Sequence, residues 1–154
     1  MDNNTHTSHR WILAIAVAVV LTALNLGYPG SGSSNHIRLI PFEGYVSAIS
    51  CLLRNCGGAS SALRFIVLNG LGNVVVFIPL GFAFARAFEN VSPRPIIYAL
   101  LAGILLSMAY ELIQISIPGR VTALDDVILN SMGTLLGAAA LRLPQYRSHG
   151  TGEE

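Results

Sequence analysis

Arg120, Asp125, Asp126 and Asn130 fall within one short stretch, between two runs of residues apolar enough to cross a bilayer. An ionisable group at membrane depth is costly to keep, so by default it marks a functional site. The Arg120 guanidinium suits an anionic group. Oxygen ligands such as Asp125, Asp126 and the upstream Glu111 suit a hard divalent cation with a phosphate, and Glu111 is also available as a general acid or base. Asn73, Gln114 and Asn130 add hydrogen-bonding amides. No nucleophile–base pair accompanies them. His6, His9, His36 and His149 all lie outside the apolar runs, which excludes histidine chemistry within a bilayer. The residues imply no cofactor.

The elements that must position these groups follow from composition. The chain has 154 residues, enough for one domain; 53% are hydrophobic and 11% charged, and mean hydropathy is +0.60. Soluble domains carry roughly 25% charged residues. All nine basic residues are arginine, and the net charge of +1 lacks the clustered basic face a nucleic-acid partner needs. The chain therefore reads as an all-α polytopic membrane protein, with membrane lipids as its first partners. A tail over 1–10 precedes a membrane domain over 11–143, and a second tail covers 144–154.

Four segments approach the roughly 20 apolar residues that a spanning helix requires. They run from Trp11 to Tyr28, about Phe65 to Phe88, Ile96 to Ile117 and about Asp126 to Leu143. Trp11 and Tyr28 bracket the first as interfacial anchors. That segment also has features of a secretory signal, but its long apolar run and the lack of a cleavage site favour an uncleaved anchor. Four spans put both termini on one side, with Arg10, Arg86, Arg94, Arg142 and Arg147. The opposite side holds Arg38, Arg54, Arg64 and Arg120. The slight arginine excess predicts cytoplasmic termini.

Polar residues recur at helical spacing within the spans. Gly103, Ser107, Glu111 and Gln114 form one stripe, and Asp126, Asn130, Gly133 and Gly137 form another. Asn69 and Asn73 are four apart. Glu111 lies roughly 9 Å inside the end of its span at 1.5 Å per residue. Span two begins, span three ends and span four begins on one side, so Asn73, Glu111, Gln114, Arg120, Asp125, Asp126 and Asn130 share a leaflet. With cytoplasmic termini that leaflet is the outer one.

A long connection separates spans one and two, opening with the turn-rich 29–34 piece. From Phe42, apolar Tyr45, Val46, Ile49, Leu52 and Leu53 oppose Glu43, Ser47, Ser50 and Arg54. This pattern predicts a short amphipathic helix, lying in the interface or packed on the spans. Cys51 and Cys56 follow; they either form a small-loop disulfide in an oxidising compartment or stay free.

Structural roles compete for several of these residues. Gly133 and Gly137 fit a close helix contact, and Asn69 with Asn73 fits interhelical hydrogen bonding. Pro79 inside span two frees the Val75 carbonyl and can kink the helix. Thr122-x-x-Asp125 reads as a capping box for span four. Arg120 with a carboxylate reads as a buried ion pair between spans three and four.

Four groups of residues resemble the VanZ-like family of membrane proteins. Asn73 to Phe82, with Pro79, Leu80 and Gly81, resembles its asparagine and Pro-Leu-Gly signature. Tyr110-Glu111-Leu112-Ile113-Gln114 is similar to its Glu-x-x-Gln, and Gly119-Arg120, Asp125-Asp126, Asn130 and Gly133 to its closing pattern. Leu39 to Phe42 resembles an upstream Pro-Phe element, so the likeness covers about 39–141. The resemblance implies a bacterial inner-membrane protein with some link to the cell envelope and to teicoplanin-type glycopeptide resistance. It supplies no reaction.

Two classes of function fit the residues. In the first, the polar cluster binds a lipid head group, a lipid-linked cell-wall intermediate or a lipophilic glycopeptide. In the second, the carboxylates serve an intramembrane lipid-modifying enzyme. A structural or transport subunit is the remaining alternative.

Overall fold

The structure is a computed structural model, and it describes residues 3–27 and 36–141. Tyr28, the turn-rich 29–34 piece, Arg142, Arg147, His149 and the 144–154 tail lie outside the described residues. The fold is helical. Helix α1 covers Asn3–Gly27, α2 Glu43–Leu53 and α3 Ala59–Phe65; a π-helical segment, Ile66–Leu71, leads straight into α4, Gly72–Phe88. Helix α5 covers Pro95–Gln114 and α6 Leu124–Ala140. Two three-residue strands, β1 (His36–Arg38) and β2 (Val121–Ala123), pair in parallel, with Ile37 opposite Thr122 and Arg38 opposite Ala123.

Of the four spans expected, two are long and apolar enough to cross a membrane: the continuous 30-residue helix Ala59–Phe88 and the 20-residue α5. Only 17% and 28% of their most apolar windows are buried, so neither is the enclosed core helix of a soluble protein. The described apolar part of α1 is Ser8–Ala23, and α6 has 17 residues, short of the roughly 20 required. The second helix also begins earlier than expected, at Ala59. That places Arg64 within a helix and not in the preceding loop. Pro95 opens α5 at the position where a missing N–H costs nothing.

Helix α4 is the centre of the bundle, packing on α6, α5 and α1. The tightest contact is with α6, where backbones meet without side chains between them. A Cβ on Gly133 would collide with the Val74 carbonyl, one on Gly137 with the Ile78 carbonyl, and one on Gly81 with the Thr134 carbonyl. Small residues permit such close approach, as the glycine spacing predicts. Pro79 sits inside α4 with the helix continuous around it. Phe77, Leu80, Tyr110 and Leu21 fill the space between α4, α5 and α1. The Tyr110 and Thr22 hydroxyls share a 2.8 Å hydrogen bond that ties α5 to α1.

The two ends of the bundle differ in chemistry. At one end, Arg10 donates to Glu89 (3.1 Å) and Asn90 (3.1 Å), and Arg86 donates to the same Glu89 oxygen at 2.9 Å. Trp11 packs edge-on against Phe88 at 5.0 Å. The opposite end carries β1, β2, α2 and the start of α6. Helix α2 forms where its amphipathic pattern predicts. After it, Cys51 and Cys56 are joined as a disulfide, with Cα atoms 5.1 Å apart, closing the turn into α3.

Candidate functional site

The end of α5, the start of α4 and the start of α6 converge below the β1–β2 pair. The Glu111 carboxylate, on the last turn of α5, accepts the backbone N–H of Ala123 at 2.9 Å. The Thr122 hydroxyl donates to the Glu111 main-chain carbonyl at 3.4 Å. Glu111 thus fixes β2, whose position in turn aligns β1. The Asn73 amide donates to Asp126 at 2.7 Å, a contact between α4 and the first turn of α6. Both aspartates lie in that first turn, where the helix dipole favours negative charge.

The capping box expected from Thr122 and Asp125 does not form. The N-cap of α6 is Ala123, with no side-chain cap bond, and the Thr122 hydroxyl turns toward α5. Asp125 instead accepts the backbone N–H of Phe42 at 2.9 Å. Phe42 has φ 63°, left-handed backbone that a bulky residue rarely adopts, and it opens α2. The buried Asp125 carboxylate therefore anchors a strained entry into the amphipathic helix, across more than eighty residues of sequence.

Asn130 lies one turn deeper and is only 2% exposed. Its side-chain amide donates to the Ser107 hydroxyl at 2.8 Å, and its main-chain carbonyl accepts the Thr134 hydroxyl at 2.9 Å. This layer joins α5 to α6 beneath the charged groups. Gln114 is buried at the end of α5. Arg120 is half-buried in the loop that follows, where Gly119 has φ 76°, and its charge acts on both Glu111 and Asp126. Asn69 does not share the role of Asn73. It is exposed and donates to the Phe65 carbonyl of its own helix.

Two residues of this region were not assigned to it from the sequence. Arg38, on β1, and Tyr45, on α2, line a cavity of about 240 Å³ with Phe65, Asn69, Asp125 and Asp126. Ser107 belonged to a recognised stripe but had no assigned partner. A second, apolar cavity of about 330 Å³ lies across the strand pair and includes Leu39, Met108, Leu112 and Val127; Arg38 and Ala123 line both. Tyr45 carried a signal of its own: Gly70 leaves the space its ring occupies, a Cβ there coming within 3.2 Å of the ring. Arg38 had none, since it is placed by a strand pairing too short to leave a pattern.

Burial first, then the Asp126 and Asp125 carboxylates, push the Tyr45 phenol up to about 12. A raised phenol contributes stability that is full below its ordinary value near 10 and is lost as pH rises toward the shifted value. Wild-type protein is expected to lose stability across that alkaline window relative to Tyr45→Phe. Superimposable unfolding profiles of the two proteins would refute this.

Among the described residues, no three histidines, cysteines or carboxylates gather into a group that could hold a metal. Glu111, Asp125 and Asp126 are each turned to a different N–H donor. The arrangement is one of fixed acceptors around two adjoining cavities, one polar and one apolar.

No curated protein and no solved structure matches the chain. A family model does, and it extends beyond the 39–141 resemblance to take in α1. With residues 11–145 matched to the model described as VanZ/LLP1, the chain belongs to the VanZ family.

Proposed function

We propose that the protein is a multi-pass component of the bacterial inner membrane that binds an amphiphile through its polar cluster. In this reading α1 and α6 complete a four-span bundle with cytoplasmic termini, and the cluster faces the outer leaflet. The amphiphile is a lipid head group, a lipid-linked cell-wall intermediate or a lipophilic glycopeptide. The last would connect the chain to teicoplanin-type resistance. The carrying observation is the junction of a polar and an apolar cavity at Arg38 and Ala123, below strands held by Glu111. An amphiphile needs both environments side by side.

Two further features support the reading. Large side chains on the bundle's outer faces, among them Ile12, Val75, Leu105 and Leu136, are exposed as lipid-facing groups would be. The Cys51–Cys56 bond lies at the cluster's end, and disulfides persist on the oxidising side of a membrane.

The test compares purified wild-type protein with Glu111→Gln, Asp126→Asn and Arg120→Gln for retained lipid and for lipoglycopeptide binding. At least one variant is expected to lose binding severalfold while keeping its thermal stability. If all three bind as the wild type does and only stability falls, the cluster is a structural network and the proposal fails.

A further inference from the structure

The size and lining of the polar cavity identify the kind of head group it accepts; this inference rests on the lipid-binding reading above. Pockets that enclose drug-sized ligands measure roughly 300–1,000 Å³. At about 240 Å³ the polar cavity is matched to a small head group.

Its walls select for charge. Two carboxylates, Asp125 and Asp126, face it from the first turn of α6, each oriented by a neutral N–H donor. The Tyr45 and Phe65 rings also line it, with centroids 5.1 Å apart. Aromatic faces attract cations. The Tyr45 hydroxyl oxygen is buried and has no hydrogen-bond partner, so its lone pairs are open to a ligand N–H. Carboxylates and a phenol oxygen are hydrogen-bond acceptors, so they suit an ammonium that carries N–H donors. A fully methylated ammonium has none to offer.

The second cavity supplies the rest of the molecule. Leu39 and Leu112 on its rim are 73% and 66% exposed, so the groove opens sideways to where acyl chains lie. Arg38 stands at the boundary between the two cavities, the position a phosphodiester occupies between an amine and its chains. Guanidinium is well matched to phosphate oxygens. Head, phosphate and tail are thus met in order across the β1–β2 pair.

We propose that the paired cavities bind a phospholipid with a primary ammonium beside its phosphodiester, with the amine among Asp125, Asp126 and Tyr45, the phosphate at Arg38 and one chain against Leu39 and Leu112.

The test is a competition on wild-type protein in detergent micelles. It uses phosphatidylethanolamine, phosphatidylcholine and phosphatidylglycerol with identical chains, and reads bound lipid by native mass spectrometry. Phosphatidylethanolamine is expected to win by about tenfold over each, equivalent to about 1.4 kcal/mol. Tyr45→Phe narrows its lead over phosphatidylcholine, whereas Arg38→Gln weakens both to the same extent. Glycerophosphoethanolamine, which has the head group without chains, is expected not to compete at equal concentration; full competition would remove the apolar groove from the site. Equal retention of the ethanolamine and choline lipids, or a preference for phosphatidylglycerol, overturns the amine assignment and leaves lipid binding intact. Failure to retain any of the three lipids overturns this inference and the phospholipid form of the reading it rests on.

Discussion

A single methyl group added at Gly133 or Gly137 is expected to destabilise the bundle by about 3 kcal/mol or more, at or above the top of the range for an overpacked core. The obstacle at both positions is a main-chain carbonyl, of Val74 and of Ile78. A side chain in the way can change rotamer, but a helical carbonyl moves only if its helix moves. Helix α4 also holds α1 and α5, so displacing it disturbs its interfaces with all three neighbouring helices. Gly133→Ala and Gly137→Ala should therefore lower the unfolding midpoint sharply in a fixed detergent. Gly57→Ala is the control, since nothing lies within 4 Å of a Cβ there. If the two bundle variants unfold with the control, the α4–α6 contact is not as close as described.

Glu111→Ala should cost roughly 1–3 kcal/mol for the N–H it orphans, besides the cavity left by the lost side chain. The donor stranded is the buried amide of Ala123, the residue opposite Arg38 in the strand register. The damage should concentrate there, with amide exchange accelerating over Val121–Ala123 before it does in α5. Glu111→Gln keeps an acceptor oxygen within reach and should restore most of the protection. Rapid exchange in both variants would mean that the negative charge, and not the hydrogen bond, holds β2. Unchanged exchange in the alanine variant would mean that Glu111 does not position the strand at all.

The contrast between these two sites shows where sequence reasoning reached. Gly133, Gly137, Ser107, Glu111, Gln114 and Asn130 were legible because helical periodicity places them on one face, and all of them are buried. The convergence of Asn73 with Asp126 followed from the direction of successive helices. Arg38 was not legible, because its position depends on a three-residue strand pairing with residues more than eighty positions away. Asp125 was misread for a related reason. Local spacing to Thr122 imitates a capping box, but the stronger claim on its carboxylate comes from the distant Phe42 amide. The early start at Ala59 was hidden by Ser60, Ser61 and Arg64, polar residues that a helix end outside the hydrocarbon tolerates.

The π-helical segment has a consequence for how this site can change. Across Ile66–Leu71 the backbone hydrogen bonds reach one residue further than in an α-helix, as in the bond from the Gly72 N–H to the Val67 carbonyl. The turns therefore hold an extra residue, and α3 is rotated about the helix axis relative to α4. Phe65 faces Tyr45 because of that rotation, while Asn73 still faces Asp126. The cavity's aromatic wall and its acidic wall are thus set by two different phases of one continuous helix. Insertion or loss of one residue in this segment would turn the aromatic wall like a dial, while α4 and the glycine contacts beneath it stayed still. The shape of the polar cavity can then diverge among related chains by a change of phase, with no substitution at any residue that lines it.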